Sequence, residues 1–252
     1  MIFYFTSTGN SRFIANNMAK ALNKPVTSLN EVFKNNLKLE FHSQSPFILI
    51  SPIHAWRVPK KVENFLKNAK FTGSKEIYVI VTMGEDCGLT QKYCKKLIEK
   101  NNMILKGFKP IVMPDNYFIS AIMKSKYENM QQIKNTIPTI NETIDLIRKN
   151  ESFFQTEYNK NDWFLSSVGN WGFNNFMANS KSFTLSDKCI KCKKCVNICP
   201  TNNITLNEKI SFSNKCMFCL ACLHNCPVQA IDYKGKMAKN GYYVFPQELE
   251  NF

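Results

Sequence analysis

The chain has 252 residues, 44% of them hydrophobic, and a formal net charge of +14. That length supports a good core and two domains. No uninterrupted apolar run reaches the roughly 18 residues of a membrane helix, and the N-terminus carries neither a basic region nor a small-residue cleavage site, so no signal peptide is expected and the cytoplasm is the expected compartment. The basic residues are scattered, often beside Asn, without a nucleic-acid motif, which reads as a solvated lysine-rich surface rather than a nucleic-acid site.

In chain order, residues 1–5 are apolar and aromatic, a short buried strand. Thr6-Ser7-Thr8-Gly9-Asn10-Ser11 follows, then a helical stretch from Arg12 to Leu22 with Phe13, Ala15, Met18, Ala19 and Leu22 for its buried face. A strand, a hydroxyl-rich loop with Gly and a helix start form a phosphate site, because the free amides and the helix dipole both favour an anion. No Lys or Arg lies in the loop, which separates it from a Walker A loop. Further buried strands are expected at Pro46–Ser51, Glu76–Thr82 and Lys109–Met113, and helices at Pro59–Ala69 and Gly88–Asn102. Apolar strands alternating with helices predict a doubly wound parallel sheet. Ligands of such sheets sit at the carboxyl ends of the strands. Two loops fall there: Ser51 to Pro59, and Thr82 to Gly88.

The first loop resembles the FMN phosphate loop of the flavodoxins, whose pattern T/S-x-T-G-x-T/S is met by Thr6, Thr8, Gly9 and Ser11. The resemblance implies FMN, with Thr6, Ser7, Thr8, Gly9, Asn10 and Ser11 around its phosphate. It also implies ring contacts from Pro52, His54, Trp56, Thr82, Met83, Gly84 and Gly88. For Trp56 the alternative is an ordinary core or surface aromatic. For His54 it is a loop histidine with a backbone partner. Cys87 and Cys94 read as small buried residues.

Asn129–Arg148 has Ile133, Ile137, Ile140, Ile144 and Ile147 near the helical period, with Pro138 expected to kink or start the helix. Asn150–Asp162 is polar and loop-like. Trp163–Met177 carries Trp163, Phe164, Trp171, Phe173 and Phe176, expected as a helical connector packed on one or both domains. The alternative is a surface that shields a cluster or receives a partner. The expected division is 1–150, an aromatic-rich connector at 151–182, and 183–252.

Eight of the ten cysteines form two copies of C-x2-C-x2-C-x3-C-P: Cys189, Cys192, Cys195, Cys199, and Cys216, Cys219, Cys222, Cys226. Zinc sites instead pair two C-x2-C knuckles, and disulfides need an oxidising compartment. From Phe183 to Tyr233 the chain resembles the two-cluster bacterial ferredoxins, in which the last cysteine of each run ligates the other cluster. That implies one [4Fe–4S] centre on Cys189, Cys192, Cys195 and Cys226, and a second on Cys216, Cys219, Cys222 and Cys199. The fold class expected is therefore α/β, a flavodoxin-like doubly wound sheet with a C-terminal α+β ferredoxin-like 2[4Fe–4S] domain.

The whole chain is similar to ferredoxin–flavodoxin fusions of the EFR family, redox proteins common in anaerobes. The resemblance implies electron transfer between two [4Fe–4S] centres, an FMN and an external redox partner. The other readings are an FMN-dependent reductase of a small organic acceptor, and a ferredoxin with a flavin-free docking domain. Two such centres and one flavin phosphate would lower the charge to about +8, still suited to an acidic partner protein.

Overall fold

The computed structural model describes residues 1–155 and 157–250. The first strand and helix are β1 (Ile2–Tyr4) and α1 (Asn10–Leu22), followed by β2 (Val26–Ser28), α2 (Leu29–Lys34) and β3 (Glu40–Ser43). Next come β4 (Phe47–Pro52), α3 (Lys60–Asn68), β5 (Lys70–Gly73), β6 (Glu76–Met83), α4 (Thr90–Lys100), β7 (Ile104–Val112) and α5 (Lys126–Arg148). Strands β2-β1-β4-β6-β7 form one sheet in that spatial order, every pairing parallel. Counting only these strands, the order is 2-1-3-4-5, the flavodoxin-like winding, whose switch point lies between β1 and β4.

Each face of the sheet is covered, as its near-continuous apolar strands require. Phe3, Phe47 and Val79 pack under α3 and α4, while Ile2, Ile48 and Ile80 pack under α1 and α5. Phe3, Phe41, Phe47, Phe65 and Phe71 meet at ring separations of 4.7–6.2 Å, which docks the small parallel pair β3–β5 on the first face.

Two element starts differ from expectation by three residues or more. β7 begins at Ile104, five residues early, because Gly107 lets the strand pass against the rings of Tyr78 and Phe153. α5 begins at Lys126, where Ser125 and Glu128 form a capping box. It also runs unbroken through Pro138: Pro138 and Lys134 are both exposed, so the carbonyl freed by proline faces water.

Residues 162–177 form one helix that alternates α turns (Asp162–Phe164, Asn170–Gly172) with π turns (Leu165–Gly169, Phe173–Met177). It packs on the loops of the sheet as a connector, but through its polar side. Trp163, Phe164, Trp171 and Phe176 are 56–69% exposed, and the inward residues are polar or small. Ser166 Oγ accepts from Leu89 N at 2.8 Å, and Asn170 donates to the carbonyls of His54 and Ala55. The helix thus satisfies backbone groups of the sheet's loops, and only Phe173 joins the C-terminal core.

The C-terminal part has two antiparallel pairs, β8 (Phe183–Leu185) with β11 (Ile231–Tyr233), and β9 (Ile204–Leu206) with β10 (Ile210–Phe212). Its apolar centre is small, and cysteines make up part of it. A domain of this size needs a staple.

Candidate functional site: a phosphate cleft beside two cysteine pockets

At the carboxyl end of β1 the chain turns through Thr6–Gly9 into α1. Gly9 has φ +120°, and a Cβ there would lie 2.4 Å from Phe245 Cβ, so only glycine fits. No side chain caps α1, and its first turn holds no acid, leaving its leading amides free for an anion. The loop is held from outside. Asn30 clamps Thr6 through both backbone groups, at 2.9 and 2.8 Å. Asn10 donates to Pro114 O, Asn116 to Thr8 Oγ1, and Ser11 and Thr82 hydroxyls meet at 3.0 Å. Ser7 Oγ is buried without a partner.

These residues enclose a cleft of about 40 Å³. Thr6, Ser7, Thr8, Asn10 and Ser11 form its floor, and Pro52, Thr82, Met83 and Gly84 one wall. That volume suits a phosphate. The residues fit the group: free amides, an orphaned hydroxyl and no competing carboxylate in the phosphate loop. Four expected residues do not line the cleft. Gly9 lies behind it. Trp56 turns away and packs beside Gly88 and Gly169, where their Cβ atoms would stand 3.0 and 3.2 Å from it. His54 sits between the edges of Phe5 and Phe173, where burial lowers its pKa to about 4. Sequence reasoning missed Ile53, Pro114, Asp115 and Asn116. The last three follow β7, and the rule that ligands sit beyond strand ends would have found them.

The cysteines gather in two pockets. One is walled by Cys189, Cys192, Cys195 and Cys226; the other by Cys199, Cys216, Cys219 and Cys222. Each pocket therefore holds three cysteines of one run and the last of the other. Left-handed backbone at Lys191 and Lys193, and at Phe218 and Leu220, curls each loop around its pocket. Backbone amides already point at sulfur: Asn203 N to Cys199, Phe218 N to Cys216 and Ala230 N to Cys226, at 3.2–3.4 Å. Among the described residues no three His, Cys, Asp or Glu side chains converge closely enough for a single metal ion. Burial pushes the thiols of Cys216 and Cys219 up to about 11 and about 12, and Cys222 well above its ordinary value. Thiolates here require a compensating cation, which an iron–sulfur core supplies. Cys87 and Cys94 lie apart, buried in the sheet's core.

The two sites are joined. Cys219 and Met217 pack against the sheet's core. His224 accepts from Tyr243 N at Nδ1, which fixes its proton on Nε2, and it donates to Asn116 O at 2.7 Å. Asn225 donates to Ser7 O. Beyond the ferredoxin-like part, residues 241–250 return across the phosphate loop. Phe245 N donates to Thr8 O at 2.8 Å, its ring stacks on Phe13 at 4.7 Å, Tyr243 bonds Asn10, and Glu250 pairs with Arg12.

Comparison with known families finds a domain around each site. A flavodoxin domain model matches residues 1–108, and a 4Fe-4S dicluster domain model matches residues 188–230. The chain is a flavodoxin–ferredoxin fusion. Its two domains are those of an electron-transfer flavo-iron–sulfur protein. No curated protein matches the fusion. Among solved structures it is similar to a Lactobacillus acidophilus flavoprotein in complex with FMN, at 10% identity and TM-score 0.32, covering 43% of this chain and 90% of that one. It is also similar to Megasphaera elsdenii flavodoxin, at 16% identity and TM-score 0.29, covering 44% and 85%. A third is the rubredoxin oxygen:oxidoreductase of Desulfovibrio gigas, at 12% identity and TM-score 0.31, covering 58% of the fusion and 36% of that chain. Superpositions this loose carry no weight; the strand order carries the fold. Among the described residues no helix is long and apolar enough to cross a membrane.

Proposed function

We propose that the fusion passes electrons between an external redox protein and an FMN through two [4Fe–4S] centres held in one chain. FMN exchanges two electrons, singly if required, and each [4Fe–4S] centre exchanges one. The observation that carries this reading is the interleaving of the two cysteine runs across two pockets. The sequence spacing C-x2-C-x2-C-x3-C-P, with three cysteines at short intervals rather than paired knuckles, favours clusters over zinc.

The residues divide the work as follows. Cys189, Cys192, Cys195 and Cys226 hold the outer centre. Cys192 is exposed there, and Lys191, Lys193 and Lys194 line the pocket, so an acidic redox protein would be steered to that loop. Cys199, Cys216, Cys219 and Cys222 hold the inner centre, beside the sheet's core. Thr6, Ser7, Thr8, Asn10 and Ser11 bind the flavin phosphate with the amides of α1. Pro52, Thr82, Met83 and Gly84 face its ring. His224, Asn225 and the 241–250 strap fix the phosphate loop against the inner centre's domain. The domain limits proposed are a flavodoxin unit ending near residue 150, a connector whose helix packs on that unit, and a ferredoxin unit from residue 183.

Anaerobic reconstitution with iron, sulfide and FMN tests this composition. The expected content is about eight iron, about eight sulfide and about one FMN per chain. Half that iron, or zinc in its place, would contradict it.

A further inference from the structure

A cavity far larger than the phosphate cleft lies at neither site. It has a volume of about 450 Å³, within the range of small-molecule sites and an order of magnitude above the phosphate cleft. It opens between α3, the 162–177 helix and the start of the second cysteine run. We propose that it binds a small planar anion, an aromatic molecule carrying a sulfonate or carboxylate.

Charge, shape and position support this. Lys60, Lys61 and Lys215 line the cavity, and no acidic side chain does. The nearby carboxylate, Glu63, is engaged by Arg57 and Lys60. Lys60 and Lys61 occupy the first turn of α3, where the dipole already contributes positive potential and disfavours cations. Pro59, in the cap position, supplies no side-chain acceptor to offset them. Glu63, in the same turn, offsets Lys60 and Arg57, which leaves the leading amides of α3 with Lys61 and Lys215 as the positive lining that an anion would meet. Trp171 supplies the flat surface. It is 60% exposed, packed edge-on by Phe176 at 5.6 Å, and lines the cavity. An exposed indole braced by a second ring costs little entropy to order around an aromatic ligand.

Position gives the site its meaning. Cys216 walls both this cavity and the inner cysteine pocket. A bound aromatic would stand one side chain from the inner centre. This redox significance rests on the function proposed above, whereas the binding itself does not.

The test uses anthraquinone-2-sulfonate as probe, titrated into the reconstituted full chain by calorimetry, with iron and flavin content measured on each sample. The Lys60→Gln/Lys61→Gln double variant is expected to weaken binding about tenfold, and Trp171→Ala by a similar factor. Lys134→Gln lies on α5, across the sheet, and should leave affinity unchanged. An uncharged hydroxymethylanthraquinone should bind about tenfold more weakly than the sulfonate. The proposal falls if the sulfonate does not bind, if the double variant binds like the parent, or if Lys134→Gln weakens binding equally. Fully loaded protein that ignores the probe would refute this site alone, while protein lacking iron would refute the electron-transfer reading instead. All three lysines are exposed, so the variants should fold; a far-ultraviolet spectrum matching the parent's checks that.

Discussion

Replacing Ser7 by alanine should stabilise the flavin-free chain and weaken flavin binding, a pair of opposite signs that an ordinary loop serine would not give. Ser7 Oγ is buried and makes no hydrogen bond. A buried unsatisfied hydroxyl costs about 1–3 kcal/mol. Relieving the lower part of that cost, because the cleft is open on one side, should add about 1 kcal/mol, or roughly 2–4 °C in the flavodoxin domain's melting midpoint. The phosphate gives the hydroxyl a charged acceptor, and such hydrogen bonds are worth about 1.5–3 kcal/mol. Losing it should raise the FMN dissociation constant about ten- to a hundredfold. The assay is fluorescence titration of FMN into deflavinated protein, paired with thermal unfolding of the same preparation. A variant that is less stable without flavin, yet binds FMN as tightly as the parent, would refute the assignment of Ser7 to the phosphate.

Other expectations follow from the same geometry. Gly9→Ala forces a Cβ to within 2.4 Å of Phe245 at φ +120°, and should cost about 2 kcal/mol or more in unfolding experiments. Because the atom struck is the Cβ of Phe245, only a Phe245→Gly background removes the clash and leaves the backbone strain, so a double-mutant cycle of Gly9→Ala with Phe245→Gly should show coupling. Phe245→Ala removes a buried ring stacked on Phe13, costs about 3–5 kcal/mol, and should loosen FMN through the strap. Cys226→Ser should remove about half the iron by depriving the outer centre of its fourth ligand, whereas Cys87→Ser should leave iron unchanged. His54 has a folded-state pKa of about 4, below its ordinary 6.5, because burial disfavours the charged ring. Its contribution to stability is therefore present above pH 6.5 and is lost as pH falls from 6.5 towards 4, since the unfolded chain takes the proton first. In a His54→Gln variant the unfolding midpoint should decline less over that window.

Much of this molecule can be read from local pattern. The two cysteine runs are legible from their spacing, and the structure places Cys226 in the pocket of the first run and Cys199 in the pocket of the second. The loop Thr6–Ser11 is legible because hydroxyls, a glycine and a helix start coincide. The interior strands β4 and β6 are legible because they are apolar on both faces. What escaped is short or distant. β2, β3 and β5 have three or four residues each and are half-exposed, too little for a period to show. Asn30, Asn116 and Tyr243 reach the phosphate loop from 24 to 233 positions away, and no spacing rule connects them. Which face of the aromatic helix packs was not legible, for a definite reason. Apolar residues are expected inside, but here Ser166 and Asn170 face inward because the loops at Leu89 and His54–Ala55 carry backbone groups that need partners.

The central claim is an internal route from the cysteine-bound centres to the flavin. Flash reduction of the fully loaded chain, followed at flavin and iron–sulfur wavelengths, tests it most directly. The account predicts that flavin reduction follows cluster reduction with a first-order rate that does not change with protein concentration. A rate that rises in proportion to concentration would mean that electrons travel between molecules, and would contradict it.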